Sequence, residues 1–282
     1  MSTTLAANGV ATARLPNGVI LQYRETGERS GIPLILLHGV TDSLRAWKPF
    51  TDALPSPFRV FAISQRGHGD STKPSGGYDS AAFSADLAAF MDVVGLGSAH
   101  IVAHSMSTWI AQRFARDYPE RIESLVLIGG FVSLADNAAV AQLVGALQAM
   151  GDTIDPAFAR DFQVSTVATT LPPDFLKLVV DESLKVPAHV WRAAFDAMIT
   201  ERSPQTRLTQ PALLIAGGKD ELFDDTDRRQ LAAVFTSPHS IMYQALGHAP
   251  HWEEPHIVAR DIARFVSGLK IRPPIKPRGH AG

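Results

Sequence analysis

A serine between small residues, where a strand pattern changes into a helix pattern, is the feature that most limits how this chain can fold. An apolar run ends at Val102, and residues 109–115 repeat apolar side chains at helical spacing. Ser105 lies between them, with Ala103 two residues before it and Ser107 two residues after it. A sharp strand-to-helix turn brings two backbones almost into contact, so only small side chains fit there. The pattern predicts a tight turn with the Ser105 hydroxyl at its apex.

The same residues have a simpler interpretation, in which a serine only caps the N-terminus of a helix. The order of other polar residues favours a chemical role. A nucleophilic serine needs a base and an acid to orient that base, and on a parallel sheet these follow in the order Ser, Asp or Glu, His. Asp220 follows the strand pattern of residues 212–216, and His248 follows that of residues 240–243. We therefore predict a catalytic triad of Ser105, Asp220 and His248.

A continuous apolar run at residues 33–37 predicts another strand, buried on both faces. It is followed by His38, Gly39 and Val40, a loop of mostly small residues. Acyl transfer needs backbone N–H donors aimed at the developing oxyanion, one after the nucleophile and one from a loop such as this. We predict the amides of Met106 and Val40 as these oxyanion-hole donors.

Strand patterns alternate with helical patterns along most of the chain. The strand patterns cover residues 33–37, 59–63, 100–102, 122–128, 212–216 and 240–243. Such alternation predicts an α/β fold with a mostly parallel central sheet flanked by helices. Residues 9–14 and 19–26 predict an opening hairpin.

The alternation stops in the middle of the chain. Four helical patterns follow one another there, at residues 135–150, 156–164, 173–184 and 187–201. A crossover between parallel strands needs only one helix, so we expect an all-helical cap at 131–206 rather than helices packed on the flank of the sheet. Residues 1–130 and 207–282 would then form one discontinuous core domain.

Bulky side chains near the cap would set the choice of substrate. Phe131 and Trp191 are candidates for the substrate pocket, although such residues can also fill the core of the cap itself. The sequence has no Arg or Lys cluster typical of a phosphate or carboxylate pocket. We therefore expect a neutral, fairly apolar substrate.

Composition excludes other classes of protein. A formal net charge of −2 over 282 residues gives no basis for binding nucleic acid or acidic membranes. The chain has no cysteine, which excludes a thiol nucleophile and disulfides. No signal peptide or membrane-spanning run is visible, so a cytoplasmic enzyme is expected. The histidines from 248 to 256 lack the spacing of a metal motif, and no metal or cofactor is predicted.

Five motifs together resemble the α/β-hydrolase fold family, in its esterase-like branch with a helical cap. They are residues 37–39, 65–71, 103–107, 217–220 and 247–255. The resemblance extends over residues 15–269 and implies the fold and the triad, but not the substrate. Two departures stand out, namely Gln65 where the family usually has Asp, and the turn around Ser105, which has Ala103, Ser107 and Thr108 where glycines are common.

The resulting hypothesis is a serine hydrolase that cleaves a small-molecule carboxylic ester through an acyl-enzyme. Three alternatives stay open, and one of them is cofactor-free perhydrolysis. Some capped relatives cleave a carbon–carbon bond in a diketone-like substrate with the same triad. Some members of the fold are ligand receptors with a slow triad, and the Ser-x-Ser turn at Ser105 weakly resembles that branch.

Three smaller expectations concern loops and ends. Arg66 is expected to brace its loop by pairing with Asp70. Residues 1–8 and the proline-rich residues 271–279 are expected to be disordered or loosely packed.

Overall fold

Nine strands form one sheet in the computed structural model, which describes residues 3–5, 9–201 and 206–269. The strands are β1 (Thr3–Leu5), β2 (Val10–Arg14), β3 (Ile20–Gly27), β4 (Ile32–Leu37), β5 (Phe58–Ser64), β6 (Ala99–His104), β7 (Ile122–Ile128), β8 (Ala212–Gly217) and β9 (His239–Tyr243). Their spatial order is β1-β2-β3-β5-β4-β6-β7-β8-β9. The expected tail at residues 271–279 lies outside the described residues.

The sheet is mostly parallel, as predicted. Strands β5, β4, β6, β7, β8 and β9 run parallel, and β1, β2 and β3 extend the sheet in antiparallel fashion beside β5. The expectation that residues 1–8 are loosely packed is wrong for Thr3–Leu5, because this segment pairs with β2. Strand β9 lies at the opposite edge, pairs with β8, and has only exposed or half-buried residues.

Ten α-helices accompany the sheet in the described ranges. They are α1 (Lys48–Ala53), α2 (Ser80–Val93), α3 (Met106–Asp117), α4 (Ala138–Ala149), α5 (Pro156–Ser165), α6 (Pro173–Leu184), α7 (Ala188–Thr200), α8 (Asp225–Val234), α9 (Pro250–Glu253) and α10 (Pro255–Gly268). In the described part of the chain, no helix is both long enough and apolar enough to cross a membrane.

Apolar side chains cover both faces of the sheet, because successive side chains of a strand point to opposite sides. In β4, Ile35 and Leu37 belong to the core beneath α2 and α3, whereas Leu34 and Leu36 belong to the core beneath α1 and α10. All four are at most 1% exposed. The apolar run at residues 33–37 therefore forms a strand buried on both faces, as predicted.

Helices α4 to α7 are inserted between β7 and β8, which confirms the four helical patterns. Helix α4 begins at Ala138 because Asn137 caps it, with its side chain accepting a hydrogen bond from the amide of Val140. The apolar core of the insert continues onto Val40 and Met106, two residues of the predicted site. The insert thus packs against the loops at the carboxyl ends of the strands.

Arg66 pairs with Asp86 of α2 and not with Asp70, so that expectation is wrong. Its Nε and Nη2 lie 2.7 and 2.6 Å from the two carboxylate oxygens of Asp86, a bidentate pair that is almost fully buried. Asp70 is more exposed and binds Lys185 at 3.0 Å instead. The loop is therefore anchored to a helix beneath it.

Candidate active site

Ser105 occupies a strained turn between β6 and α3. Its φ is 50° and its ψ is −118°, a conformation that residues other than glycine rarely adopt. Hydrogen bonds hold it on both sides, since its amide donates to the carbonyl of Ile128 at 2.9 Å and Oγ1 of Thr108 donates to its carbonyl at 2.7 Å. The Ser105 side chain makes no capping hydrogen bond to the helix. The simple N-cap interpretation therefore does not account for this serine.

Asp220 and His248 form a buried hydrogen-bonded pair. Nδ1 of His248 lies 2.9 Å from Oδ2 of Asp220, and both side chains are at most 2% exposed. Oδ1 of Asp220 accepts from the amide of Leu222 at 2.9 Å. Burial acts to raise the pKa of Asp220, but the His248 ring and these hydrogen bonds outweigh it and hold the pKa below its ordinary value. An ionised Asp220 places the hydrogen of His248 on Nδ1 and leaves Nε2 free to act as a base.

The ring of His248 packs against bare backbone at Gly129. This glycine has a φ of 56°, and a Cβ atom there would lie 2.7 Å from Nδ1 of His248. The position therefore requires glycine both for its conformation and for its contact. Sequence reasoning missed it, although the pair Gly129-Gly130 directly after a buried strand was the available signal.

One cleft, with about 510 Å³ of empty space that includes some open solvent, brings Ser105 and His248 together. It is lined by Gly39, Val40, Asp42, His104, Ser105, Phe131, Leu134, Val140, Leu143, Phe162, Gln163, Thr166, Phe195, Met198, Leu222, Phe223, His248 and Trp252. Nε2 of His248 is buried and has no hydrogen-bond partner among the described residues, Ser105 included. A proton transfer from Ser105 to His248 would require the serine hydroxyl to approach Nε2.

The two predicted oxyanion-hole amides adjoin this cleft. Val40 lines it, and Met106 follows Ser105 at the first position of α3. An amide at the first position of a helix has no acceptor within the helix. Neither N–H donates a hydrogen bond to a described loop or side-chain group. Both amides are therefore available to a ligand.

The structure separates the two predicted pocket residues. Phe131 lines the cleft and stacks on Phe223, with ring centroids 5.4 Å apart. Trp191 does not line it, because its ring is fully buried inside the insert against Phe158 and Phe162. Phe162 forms the wall there, so Trp191 supports the wall without reaching the cleft.

The two departures from the family pattern contact each other. Nε2 of Gln65 donates to Oγ of Ser107 at 2.8 Å, and the Ser107 hydroxyl donates to the carbonyl oxygen of His38. The main-chain amide of Gln65 also donates to Nε2 of His38 at 3.0 Å. Together they connect the turn after Ser105 to the loop that carries Val40.

A second buried carboxyl group, Asp42, lines the cleft and was missed by sequence reasoning. Oδ1 accepts from Nε2 of Gln163 at 2.9 Å, and Oδ2 lies 4.0 Å from Nδ1 of His104. Burial raises the pKa of Asp42 to about 7, although the Gln163 hydrogen bond and the nearby His248 oppose the rise. No sequence pattern joins Asp42 to Gln163, which is 121 residues away.

Within the described ranges, no group of three or more His, Cys, Asp or Glu residues is arranged to hold a metal ion.

Known proteins resemble this chain over most of its length. The family model of the alpha/beta hydrolase fold matches residues 32–255. The 2-(acetamidomethylene)succinate hydrolase of Mesorhizobium japonicum is 24% identical over 277 residues, which are 94% of this chain and 99% of that enzyme. Lipase LipV of Mycobacterium tuberculosis is 31% identical over 182 residues, which are 64% of this chain and 69% of the lipase.

Among solved structures, the esterase EaEST from Exiguobacterium antarcticum has a TM-score of 0.82 at 17% identity, covering 91% of this chain and 98% of the esterase. At that identity the likeness shows the fold alone. The family model, in contrast, matches well over half of the sequence. The chain therefore belongs to the alpha/beta hydrolase fold family of enzymes.

Proposed function

We propose that this chain is a serine hydrolase that cleaves small carboxylic esters through an acyl-enzyme intermediate. One observation carries the proposal: His248 is held by Asp220 and turns a free Nε2 into the cleft that Ser105 lines from a strained turn. The similarity to a lipase supports the ester class.

In the acylation half, Oγ of Ser105 attacks the carbonyl carbon while Nε2 of His248 takes its proton. The negative charge that develops on the carbonyl oxygen is stabilised by the amides of Val40 and Met106, each worth about 2.7–4 kcal/mol by analogy with other oxyanion holes. The carbon–oxygen bond to the alcohol then breaks. The His248 imidazolium gives its proton to the departing alcohol oxygen.

In the deacylation half, His248 removes a proton from a water molecule whose oxygen attacks the acyl carbon. The second tetrahedral intermediate collapses, the bond to Ser105 breaks, and Nε2 returns the proton to Oγ. The products are a carboxylic acid and the free serine. Asp220 keeps its charge throughout and stabilises the imidazolium in both halves.

The walls of the cleft support a fairly apolar substrate. Phe131, Phe162, Phe195 and Met198 are among the bulky apolar side chains that line it. Among the described residues that line the cleft, none is lysine or arginine. We also propose that residues 131–206 act as a cap over the core formed by 1–130 and 207–282, since α4, α5 and α7 supply part of the wall.

The test is turnover of p-nitrophenyl butanoate by the full chain and by Ser105→Ala. In the variant, kcat should fall by a factor of about 10⁶, as it does when the nucleophile of subtilisin is removed. A fluorophosphonate should label Ser105 in a stoichiometric amount, as read by mass spectrometry of peptides. The matched control is Ser267→Ala, which removes an exposed serine of α10 and should retain full activity.

Three outcomes would contradict the proposal. Unchanged activity of Ser105→Ala would exclude this nucleophile. One turnover followed by a stalled adduct would favour the slow-hydrolase receptor. Activity confined to a vinylogous diketone would favour carbon–carbon cleavage.

A further inference from the structure

Three hydrogen-bond acceptors meet in one wall of the cleft, on Asp42, His104 and Gln163. All three side chains are at most 3% exposed. We propose that they form an acceptor subsite that binds a hydroxyl or protonated amine group carried by the substrate. This inference rests on the proposed ester hydrolysis at Ser105 and specifies its substrate class.

The amide of Gln163 has a defined orientation. Nε2 donates to Oδ1 of Asp42 at 2.9 Å and to Oγ of Ser183 at 2.7 Å. The hydroxyl of Ser183 donates in turn to the carbonyl of Val179 at 2.9 Å, so it serves Gln163 as an acceptor. Both amide hydrogens are thereby used. Oε1 is buried and has no partner among the described residues.

His104 presents a lone pair at Nδ1. Nε2 lies 3.2 Å from the carbonyl oxygen of His248, and a carbonyl can only accept, so Nε2 carries the hydrogen. Burial, aided by the neighbouring His251 and His248, holds the pKa of His104 well below its ordinary value, and the ring stays neutral. Nδ1 is buried and has no partner within the described residues.

Asp42 completes the group beside the proposed oxyanion hole. Its Oδ2 lies 4.0 Å from Nδ1 of His104, which is too long for a direct hydrogen bond. A Cβ atom on Gly39 would lie 2.9 Å from each of these two atoms. Because Gly39 precedes Val40 and His104 precedes Ser105, the subsite adjoins the position of the scissile carbonyl.

Acceptors exceed donors in this wall. Apart from the Ser105–His248 pair, the unpartnered donor among the described lining side chains is the indole Nε1 of Trp252, against two unpartnered acceptors, Nδ1 of His104 and Oε1 of Gln163. Buried acceptors without a donor cost free energy, and a substrate hydroxyl or ammonium group would supply the missing hydrogens. A substrate carboxylate would add charge and further acceptors, so it should be rejected.

Methyl butanoate and three of its analogues test the subsite, with hydrolysis followed by acid release at fixed pH. Methyl 3-hydroxybutanoate and methyl 3-aminobutanoate carry a donor on carbon 3 of the acyl chain, and monomethyl succinate carries a carboxylate at carbon 4. We expect kcat/KM for the hydroxy or the amino ester to exceed that for methyl butanoate by about tenfold or more. Monomethyl succinate should be slower than methyl butanoate by a similar factor. The order of the hydroxy and amino esters identifies the preferred donor.

Asp42→Asn keeps the size and the Gln163 contact but changes the acceptor that the substrate meets. In this variant, kcat/KM for the hydroxy or the amino ester, divided by kcat/KM for methyl butanoate, should fall about tenfold. Asp52→Asn is the matched control, because Asp52 is an exposed carboxylate on α1, and its ratio should equal that of the parent. Equal ratios in Asp42→Asn and the parent would overturn the subsite.

Binding to Ser105→Ala separates this inference from the proposed function. Calorimetric titration with methyl 3-hydroxybutanoate, methyl 3-aminobutanoate and methyl butanoate should give a Kd about tenfold lower for at least one substituted ester, with the difference lost in Ser105→Ala/Asp42→Asn. That result would support the subsite even if no ester were turned over. Equal Kd values for the three esters would overturn the subsite even if p-nitrophenyl butanoate were hydrolysed.

Discussion

The hydroxyl of Ser107 donates a hydrogen bond to the main-chain carbonyl oxygen of His38 and so joins the turn after Ser105 to the loop before Val40. Gln65 donates to the same hydroxyl at 2.8 Å. A glycine at position 107 could not make the first contact, and an aspartate at position 65 could not donate. Gln65 and Ser107, which both depart from the family pattern, are thus a hydrogen-bonded pair between this turn and the loop of the proposed oxyanion hole.

Removing either member of this pair should displace the Val40 amide. For Ser107→Ala and Gln65→Leu we expect kcat on p-nitrophenyl butanoate to fall about tenfold, with KM changed less, because the hole binds the transition state. A double-mutant cycle should give a coupling of about 0.5–3 kcal/mol in the activation free energy. Purely additive effects, or equal losses in Ser267→Ala, would show that the pair does not position the hole.

Asp220 should be essential through its effect on the tautomer of His248. Asp220→Asn is expected to lower kcat about 10⁴-fold, as the corresponding change does in serine proteases. Asp181→Asn is the control, since Asp181 is an exposed carboxylate that pairs with Lys177 on α6. A loss below tenfold, measured with p-nitrophenyl butanoate across the pH range, would contradict the assignment of Asp220.

Gly129 should tolerate no side chain, because a Cβ atom there would lie 2.7 Å from the His248 ring. We expect Gly129→Ala to lose about 10²-fold in kcat/KM, a typical cost of a small misplacement of a catalytic group. Gly145→Ala is the control, since a Cβ atom there would meet nothing within 4 Å in α4. It should retain activity and gain up to about 1 kcal/mol in free energy of unfolding. Near-parental activity of Gly129→Ala would refute the tight contact.

Asp42 should make the free energy of unfolding depend on pH. Burial raises its folded pKa to about 7 from an ordinary 3.8, with Gln163, His104, His248 and Glu182 as its polar surroundings. The contribution of Asp42 to the free energy of unfolding is fully present below pH 3.8, where the carboxyl group is protonated in both the folded and the unfolded state. This contribution is lost as the pH rises to about 7. At about 1.36 kcal/mol per pKa unit, the loss approaches about 4 kcal/mol.

Urea unfolding of the parent and of Asp42→Asn at pH values from 4 to 8 measures this effect. Asn cannot ionise, so the variant should gain stability relative to the parent as the pH rises. For Asp52→Asn, the difference in free energy of unfolding from the parent should stay constant over this pH range. A constant difference for Asp42→Asn as well would mean that the pKa of the Asp42 carboxyl group is not raised.

Periodicity and order along the chain were enough to predict the sheet, the inserted helices and the members of the proposed triad. Each of these leaves a local pattern, such as the apolar run at residues 33–37 or the small residues around Ser105. The partner of Arg66 could not be predicted, because Asp86 lies on a helix and proximity along the chain favoured Asp70. Trp191 was predicted as a pocket residue, because its apolar pattern fits the pocket as well as the core of the cap and does not show that Phe162 forms the wall.

The position of His248 after an edge strand has a consequence for how this protein fails under stress. Among the described strands β9 pairs only with β8, and its side chains are exposed or half-buried, so it should detach at lower free energy than the central strands. His248 would then move away from Ser105 while most of the sheet stays folded. As the urea concentration rises, ester turnover should be lost before the circular dichroism signal changes. Inactivation would then be a local event at the rim of an intact fold.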